Sequence, residues 1–290
     1  MFTGALSAIV TPFSDGAVDE AALRDLIEWQ IGAGVQGIVP CGSTGESATL
    51  SHAEHEQVIK IAIDQVKGRV PVIAGTGSNS TAEAIRLTTF AREAGADGAL
   101  LISPYYNKPT QEGIFKHYKM IAQSVDLPLI IYNIPGRTGS NITPDTMARL
   151  CEIRNIVGVK EASGSMDQVS DIHRLCGDRL TILSGDDSLT LPLMALGAKG
   201  VISVITNIMP REMRELVAAA LEGNYARARE VHYQMLPMMR ALFIETNPIP
   251  IKHALSLAKK CSAEVRMPLT PMSQTAADKL RTVMKDSKLL

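Results

Sequence analysis

The sequence predicts an α/β protein built as a closed barrel of eight parallel strands, each followed by a helix, and three observations predict it. Short β-branched runs alternate with longer stretches of helical period, the pattern of repeated parallel βαβ units. Eight such units fit before Gly223, which matches the size of a closed barrel better than an open doubly wound sheet. Polar and glycine-containing clusters fall just after several of the strands, where a barrel carries its chemistry.

The strand candidates lie near Ala5 to Val10, Gln36 to Pro40, Val70 to Ala74, Gly98 to Ile102, Leu129 to Asn133, Ile156 to Lys160, Thr181 to Ser184 and Gly200 to Val204. Between them, stretches such as Leu23, Leu26, Ile27, Ile31 and Val58, Ile59, Ala62, Ile63, Val66 place an apolar stripe on one side of a helix, able to cover a sheet. Ser51 with Glu54 three residues on is a capping box that starts the second helix, so the loop before it ends near Leu50. The expected architecture is a (β/α)8 TIM barrel over residues 1–224, with residues 225–290 as a C-terminal helical extension packed on it, one structural domain overall. Pro237, Pro248 and Pro250 are expected to punctuate that extension.

The 290 residues are 46% hydrophobic, ample for a core that buries about three quarters of the unfolded surface. Basic and acidic side chains number 29 and 30, a net charge of −1. That balance offers no pull toward nucleic acid or an anionic membrane, so small-molecule partners are expected. Cys41, Cys151, Cys176 and Cys261 are scattered, with no C-x-x-C pair, which predicts reduced thiols and no zinc knuckle or disulfide framework. Met1-Phe2-Thr3-Gly4 lacks the basic start of a signal peptide, and no run approaches the roughly 18 apolar residues of a membrane helix. A cytoplasmic location is expected.

Four clusters stand where a barrel places chemistry: Gly42-Ser43-Thr44-Gly45-Glu46, Pro104-Tyr105-Tyr106-Asn107, Tyr132 through Thr138, and Lys160-Glu161. Lys160 ends a strand in which period-two alternation puts it on the face of Ile156 and Gly158, and Gly158 is expected to leave room for its stem. Burial of an amine inside a barrel disfavours its charged form. Bringing its pKa to about 7.5 would use roughly 4 kcal/mol and make it a nucleophile for a carbonyl. The ordinary alternative is a strand-end lysine reaching solvent or pairing with Glu161. Tyr132 could relay protons from the rim or simply satisfy its hydroxyl there. Arg137 could clamp a carboxylate with its planar fork or stand as a solvated loop charge. The loop from Gly42 to Gly45 offers hydroxyls and backbone amides that suit a carboxylate, though glycine turns also occur simply because strands end.

Other familiar patterns fail. Gly75-Thr76-Gly77 has Ser80 where a dinucleotide loop needs its third glycine. His52 and His55 do not follow the order of a zinc helix, and no catalytic metal or organic cofactor is expected. There is no G-x-S-x-G elbow, and Cys41 is expected to be a small buried hydrophobe.

In order along the chain stand G-S-T-G-E, P-Y-Y-N-K-P, Y-N-I-P-G-R-T, G-V-K-E-A, S-G-D-D, G-V-I-S-V and Asn247-Pro248-Ile249-Pro250. With these the full chain closely resembles the dihydrodipicolinate synthase family, Schiff-base aldolases that condense pyruvate with L-aspartate-4-semialdehyde on the diaminopimelate route to lysine. The resemblance implies that Lys160 forms an imine with pyruvate, the only covalent helper the reaction needs. It implies that Thr44 holds the pyruvate carboxylate, and that Ile202, through its backbone, and Gly185 contact substrate. Tyr132 would shuttle protons with the hydroxyls of Ser43 and of Tyr106, the latter reaching in from a partner subunit of a homodimer or homotetramer. Position 43 is often threonine in the family, and serine keeps the hydroxyl without the stiffening methyl. Ser47, Ala48, His52, His55, Asn79, Glu83 and Tyr105 match a pocket where L-lysine inhibits some members.

Two rivals stand beside this reading. An N-acetylneuraminate lyase would share the lysine and the G-S-T-G-E loop, but a guanidinium at Arg137 suits a carboxylate better than a polyhydroxyl tail. A barrel that only binds a keto acid would not need the lysine, tyrosine and hydroxyls together.

Overall fold

A computed structural model describes residues 2–290, and two apolar clusters in it show how the alternating strands are used. Leu6, Ala8, Val39, Ile73, Leu100, Ile130, Tyr132, Leu183 and Ile202 form one, the filling of a barrel. Their strand neighbours, among them Ala5, Ile38, Ala74, Leu101, Ile131 and Val159, belong to the other, which includes the apolar stripes of the helices. Period two along each strand thus separates an inner core from an outer one.

The strands are β1 (Gly4–Ala8), β2 (Gly37–Val39), β3 (Ile73–Gly75), β4 (Gly98–Ile102), β5 (Leu129–Asn133), β6 (Ile156–Glu161), β7 (Thr181–Ser184) and β8 (Gly200–Ser203). They pair in the order β2-β1-β8-β7-β6-β5-β4-β3. A parallel bridge between Ile38 and Val72 joins the two ends and closes the ring. The helices that follow are Glu20–Gly32, His52–Val66, Thr81–Ala94, Gln111–Ser124, Pro144–Leu150, Met166–Cys176, Thr190–Ala195 and Pro210–Leu221. Asp19, Ser51, Ser80, Thr110, Thr143 and Ser165 cap six of them by accepting from a backbone N–H of the first turn, which fixes where each loop over the barrel mouth ends. Ser51 and Glu54 form the expected capping box.

The expected strands are all present, and side chains or proline decide where several of them stop. β1 ends at Ala8, and the Val10 amide donates to Asn207 Oδ1 at 3.2 Å. β8 ends at Ser203 because the amides of Val204 and Ile205 turn to Asp187 Oδ2, at 3.1 and 2.8 Å. β3 starts only at Ile73, since Pro71 has no N–H to give a ladder. A small hairpin pairing Phe13–Ser14 with Ala17–Val18 was not expected. Its turn is Asp15-Gly16, both at positive φ, the residue pair a tight hairpin favours.

Beyond the barrel, helices cover Tyr225–Ala241, Ile249–Leu257 and Gln274–Asp286. Pro248 and Pro250 mark the start of the second, but Pro237 lies inside the first and does not break it. The carbonyl that Pro237 leaves without a donor is that of Tyr233, an exposed residue, so water can take the lost bond.

Candidate active site

Lys160 stands on β6 with 6% of its surface exposed. Along β5 and β6 the register runs Leu129 with Ile156 and then Ile130 with Gly158, a slip of one residue. An extra residue reverses the faces of everything before it. Ile156 therefore joins the outer core, while Gly158 and Lys160 face inward beside Ile130 and Tyr132. The expectation that Ile156 shares a face with Lys160 fails at this bulge. Room for the stem also comes from elsewhere than Gly158. A Cβ on Gly185 would lie 3.0 Å from Lys160 Cγ and 3.1 Å from Cε, whereas one on Gly158 would meet the Thr181 carbonyl at 3.0 Å.

The Lys160 Nζ lies 4.2 Å from the centroid of the Tyr132 ring. Burial pushes the amine down to about 8, opposed by the charge of Asp187 and aided by that of Arg137. The shift costs about 3 kcal/mol and leaves roughly a tenth of the amine neutral at pH 7. Neither ordinary fate of a strand-end lysine applies. Glu161 faces away and accepts from Asn133 Nδ2 at 3.1 Å and from the Ser163 amide at 2.7 Å. Tyr132 is buried beside the amine, and burial pushes its phenol above the usual range, partly countered by Arg137. At neutral pH it therefore keeps its O–H, as a group that passes protons must.

The loop after β2 is set by close backbone contact. Cys41 and Glu46 bracket it in left-handed conformations, φ 56° and 53°. The Cys41 backbone passes so near Gly75 that a Cβ there would lie 2.1 Å from the Cys41 oxygen. Packing, and not a phosphate, is what Gly75 serves. Thr44 is buried, and its Oγ1 accepts from Asn247 Nδ2 at 3.0 Å. With that bond made, its single O–H proton is free to donate to a ligand. Glu46 accepts from Lys252 Nζ at 2.7 Å and from the Arg266 amide at 3.0 Å, so the C-terminal segment fastens the loop.

A cavity of about 480 Å³ has Ser43, Glu46, Tyr132, Arg137 and Asn247 on its wall, while Lys160, Thr44, Gly185 and Ile202 are not part of that wall. Arg137, on the short helix Pro135–Thr138, is exposed at the protein surface, and its Nη2 donates to the Asn247 carbonyl at 3.3 Å. Ile202 pairs with Leu6 and contributes its side chain to the inner core. Tyr105 lines the cavity, while Tyr106 is 89% exposed and is absent from its wall. A desolvated amine against a protonated phenol, with the Ser43 hydroxyl and the Arg137 guanidinium on the cavity wall that Tyr132 shares, suits imine chemistry on a carboxylate-bearing ketone. Among the described residues no group of His, Cys, Asp and Glu side chains is arranged to hold a metal ion, and no helix is long and apolar enough to cross a membrane.

Residues 1–287 match the model of the dihydrodipicolinate synthetase family. The chain belongs to that family. It is 61% identical, over the whole of both chains, to the 4-hydroxy-tetrahydrodipicolinate synthase of Syntrophus aciditrophicus. It is also similar to the chloride-inhibited dihydrodipicolinate synthase of Acinetobacter baumannii solved in complex with pyruvate, at 46% identity, a TM-score of 0.98 and full coverage of both chains. The enzyme of Cyanidioschyzon merolae solved with lysine bound is 41% identical, with a TM-score of 0.97 over 100% of this chain and 99% of that one.

Within this dihydrodipicolinate synthetase barrel, Ser47, Ala48, His52, His55, Glu83 and Tyr105 line the same cavity as Tyr132 and Arg137. Asn79 is not on the wall but steadies it, its Nδ2 donating to the Tyr105 carbonyl at 3.2 Å. His52 Nε2 meets Glu83 Oε1 at 2.8 Å, and Ser78 donates to the other carboxylate oxygen. His55 is buried, which pushes its imidazole down to about 4 and keeps it neutral.

Sequence reasoning missed Asp187 and gave Asn247 no role. Asp187 is buried in the S-G-D-D run, and burial pushes its carboxyl up to about 6 despite its bonds to Ser203 and to the Ile205 and Val204 amides. Above that pH it is an anion that favours the charged form of Lys160. The rate of imine formation with pyruvate should therefore rise with pH and level off above about 8. Asp187→Asn retains an acceptor for the Val204 and Ile205 amides but removes the charge, so the midpoint should move below that of the parent. A midpoint near the ordinary lysine value in the parent, or an upward move in the variant, contradicts this account.

Proposed function

We propose that this barrel condenses pyruvate, held as an imine on Lys160, with L-aspartate-4-semialdehyde to give 4-hydroxy-tetrahydrodipicolinate. The observation that carries the reading is the desolvated Lys160 amine against the ring of Tyr132, a residue that with Arg137 lines the cavity, in a chain whose residues 1–287 match the family. The Lys160 amine adds to C2 of pyruvate and water leaves. The imine draws electrons from C3, a proton is lost there, and the resulting enamine attacks the aldehyde carbon. The amino group of the second substrate then adds to C2 and expels the Lys160 amine, which closes the ring. One water is released in all, the Lys160 amine is regenerated, and no cofactor is consumed.

In this reading Thr44 donates to the pyruvate carboxylate, Gly185 and the Ile202 backbone flank the imine, and Tyr132 and Ser43 pass protons. Arg137 takes the carboxylate of the aldehyde, which favours this substrate over the polyhydroxyl tail of a sialic acid. Tyr106, which stands away from its own cavity, completes the relay in a second copy of the chain, so the active unit is at least a homodimer and, by resemblance, a dimer of dimers. Free L-lysine binds near His52 and Glu83, with Glu83 meeting an ammonium. The location that fits these substrates is the cytoplasm.

Borohydride added with pyruvate should leave a fixed mass increment on the peptide that contains Lys160, and none in Lys160→Arg, since a guanidinium stays protonated. Label on another lysine sinks the assignment. Arg137→Ala should slow consumption of the imine by aspartate semialdehyde about 100-fold or more while pyruvate trapping changes little, as expected for a charge-assisted clamp. Equal losses in both steps in single-turnover measurements make Arg137 a loop organiser instead. Calorimetry should detect L-lysine binding to the parent and a loss of at least about tenfold in Glu83→Ala; undiminished binding refutes that placement. Finally, mixing inactive Tyr106→Phe protomers with inactive Lys160→Ala protomers should restore activity, because some mixed dimers hold one intact site. No recovery after verified subunit exchange places Tyr106 in its own subunit.

A further inference from the structure

Asn247 precedes the helix Ile249–Leu257, outside the barrel units, yet it is buried on the cavity wall. Its two amide atoms are used unequally. Nδ2 donates to Thr44 Oγ1 at 3.0 Å, whereas Oδ1 is buried and has no hydrogen-bond partner among the described residues. An amide oxygen left in that condition is unfavourable, and native proteins keep one where a ligand supplies the missing donor. Its neighbours say what kind of donor fits. The Asn247 carbonyl already receives Arg137 Nη2 at 3.3 Å, so this residue stands beside the guanidinium that takes the carboxylate of the aldehyde. In an α-amino acid the ammonium and the carboxylate share one carbon. A carboxylate on Arg137 therefore carries its ammonium to the surroundings of Asn247.

We propose that Asn247 is a specificity residue that recognises the α-ammonium group of the aldehyde substrate through Oδ1, while its Nδ2 turns the Thr44 hydroxyl toward the pyruvate carboxylate. The proposal rests on the reaction assigned above and deepens it. It makes one amide read both substrates, the keto acid through Thr44 and the amino-aldehyde directly. The opposite orientation of the amide would make Thr44 spend its only proton on Asn247 and leave an N–H, a poor neighbour for an ammonium.

The test compares aspartate semialdehyde with succinate semialdehyde, the same chain without the amino group, by the rate at which each consumes the preformed pyruvate imine in a single turnover. Asn247→Leu should lose about 10- to 100-fold more with the amino-bearing aldehyde than with the other. Asn247→Asp keeps an acceptor and adds charge, so its preference for the amino-bearing aldehyde should hold or grow while imine formation with pyruvate slows. A merely structural role, holding Thr44 and its loop, would lower both aldehydes by one factor, and equal factors in both variants overturn the proposal. A parent enzyme that traps pyruvate but leaves the imine untouched by aspartate semialdehyde overturns instead the reaction on which the proposal rests.

Discussion

Keeping one amine out of water is the constraint on which the rest of this structure depends. Lys160 is held on the inner face of a closed ring of strands, with the Tyr132 ring against its Nζ and Gly185 yielding the space for its stem. Removing the ammonium from water costs energy that must be recovered elsewhere, and the apolar filling from Leu6 to Ile202 supplies the surroundings that impose the cost. A chain that solved the problem by pairing Lys160 with Glu161 would gain stability and lose its nucleophile. Here the strand points Glu161 outward to Asn133 and Ser163, and only the more distant field of Asp187 offsets the desolvation. The outcome is an amine between its ordinary state and full neutralisation, where a usable fraction is nucleophilic and the imine nitrogen can still be protonated.

The second constraint is that the loop after β2 must keep one arrangement on the cavity wall. It does so through groups supplied by the last part of the chain. Lys252 and Glu46 are both buried and 2.7 Å apart, and the Phe13 ring lies under the Lys252 and Arg266 cations, at 4.1 and 4.3 Å. A buried pair of this kind contributes little net stability, because desolvation consumes most of the attraction, but losing one partner leaves a costly bare charge. Its effect is to specify one arrangement of loop and helix. Asn247 stands five residues before Lys252, so the tie that fastens Glu46 also delivers the amide that orients Thr44. The C-terminal segment is therefore part of the site's construction as well as a cover for the barrel.

Much of this was legible in the sequence. The strand runs and helix stripes carry their periods openly, and the G-S-T-G-E and Y-N-I-P-G-R-T clusters stood where strands end. The capping box at Ser51 and Glu54 was visible for the same reason, since caps are local chemistry. What escaped is what depends on contacts distant in sequence. The bulge ahead of Gly158 is a property of two strands paired together, and no single-strand alternation can reveal it. Asp187 looked like one acid among thirty until the ends of β7 and β8 placed it under the Val204 and Ile205 amides. The hairpin at Asp15-Gly16 had its turn signal in view, but strands of two residues leave no periodicity to read. Pro237 looks like punctuation in the sequence because a proline removes a helical bond, and water at an exposed turn satisfies the carbonyl it leaves.

The cavity wall also carries a polar cluster. Tyr132 and Arg137 share the cavity wall with Tyr105 and with the His52–Glu83 pair, whose atoms meet at 2.8 Å. An effector that bonds to Glu83 must displace or share the contacts His52 and Ser78 already make there. Its binding would bear on Asn79 and Tyr105, and through them on Asn107, whose Nδ2 donates to the Asn79 carbonyl at 2.9 Å. These residues flank Tyr106, whose left-handed φ of 70° shows a loop held in an uncommon conformation. A ligand alters turnover only as far as it binds two states of such an element unequally. The loop from Tyr105 to Asn107 is tied to Asn79 at both ends, so a ligand that moves Asn79 or Tyr105 acts on the backbone that presents Tyr106.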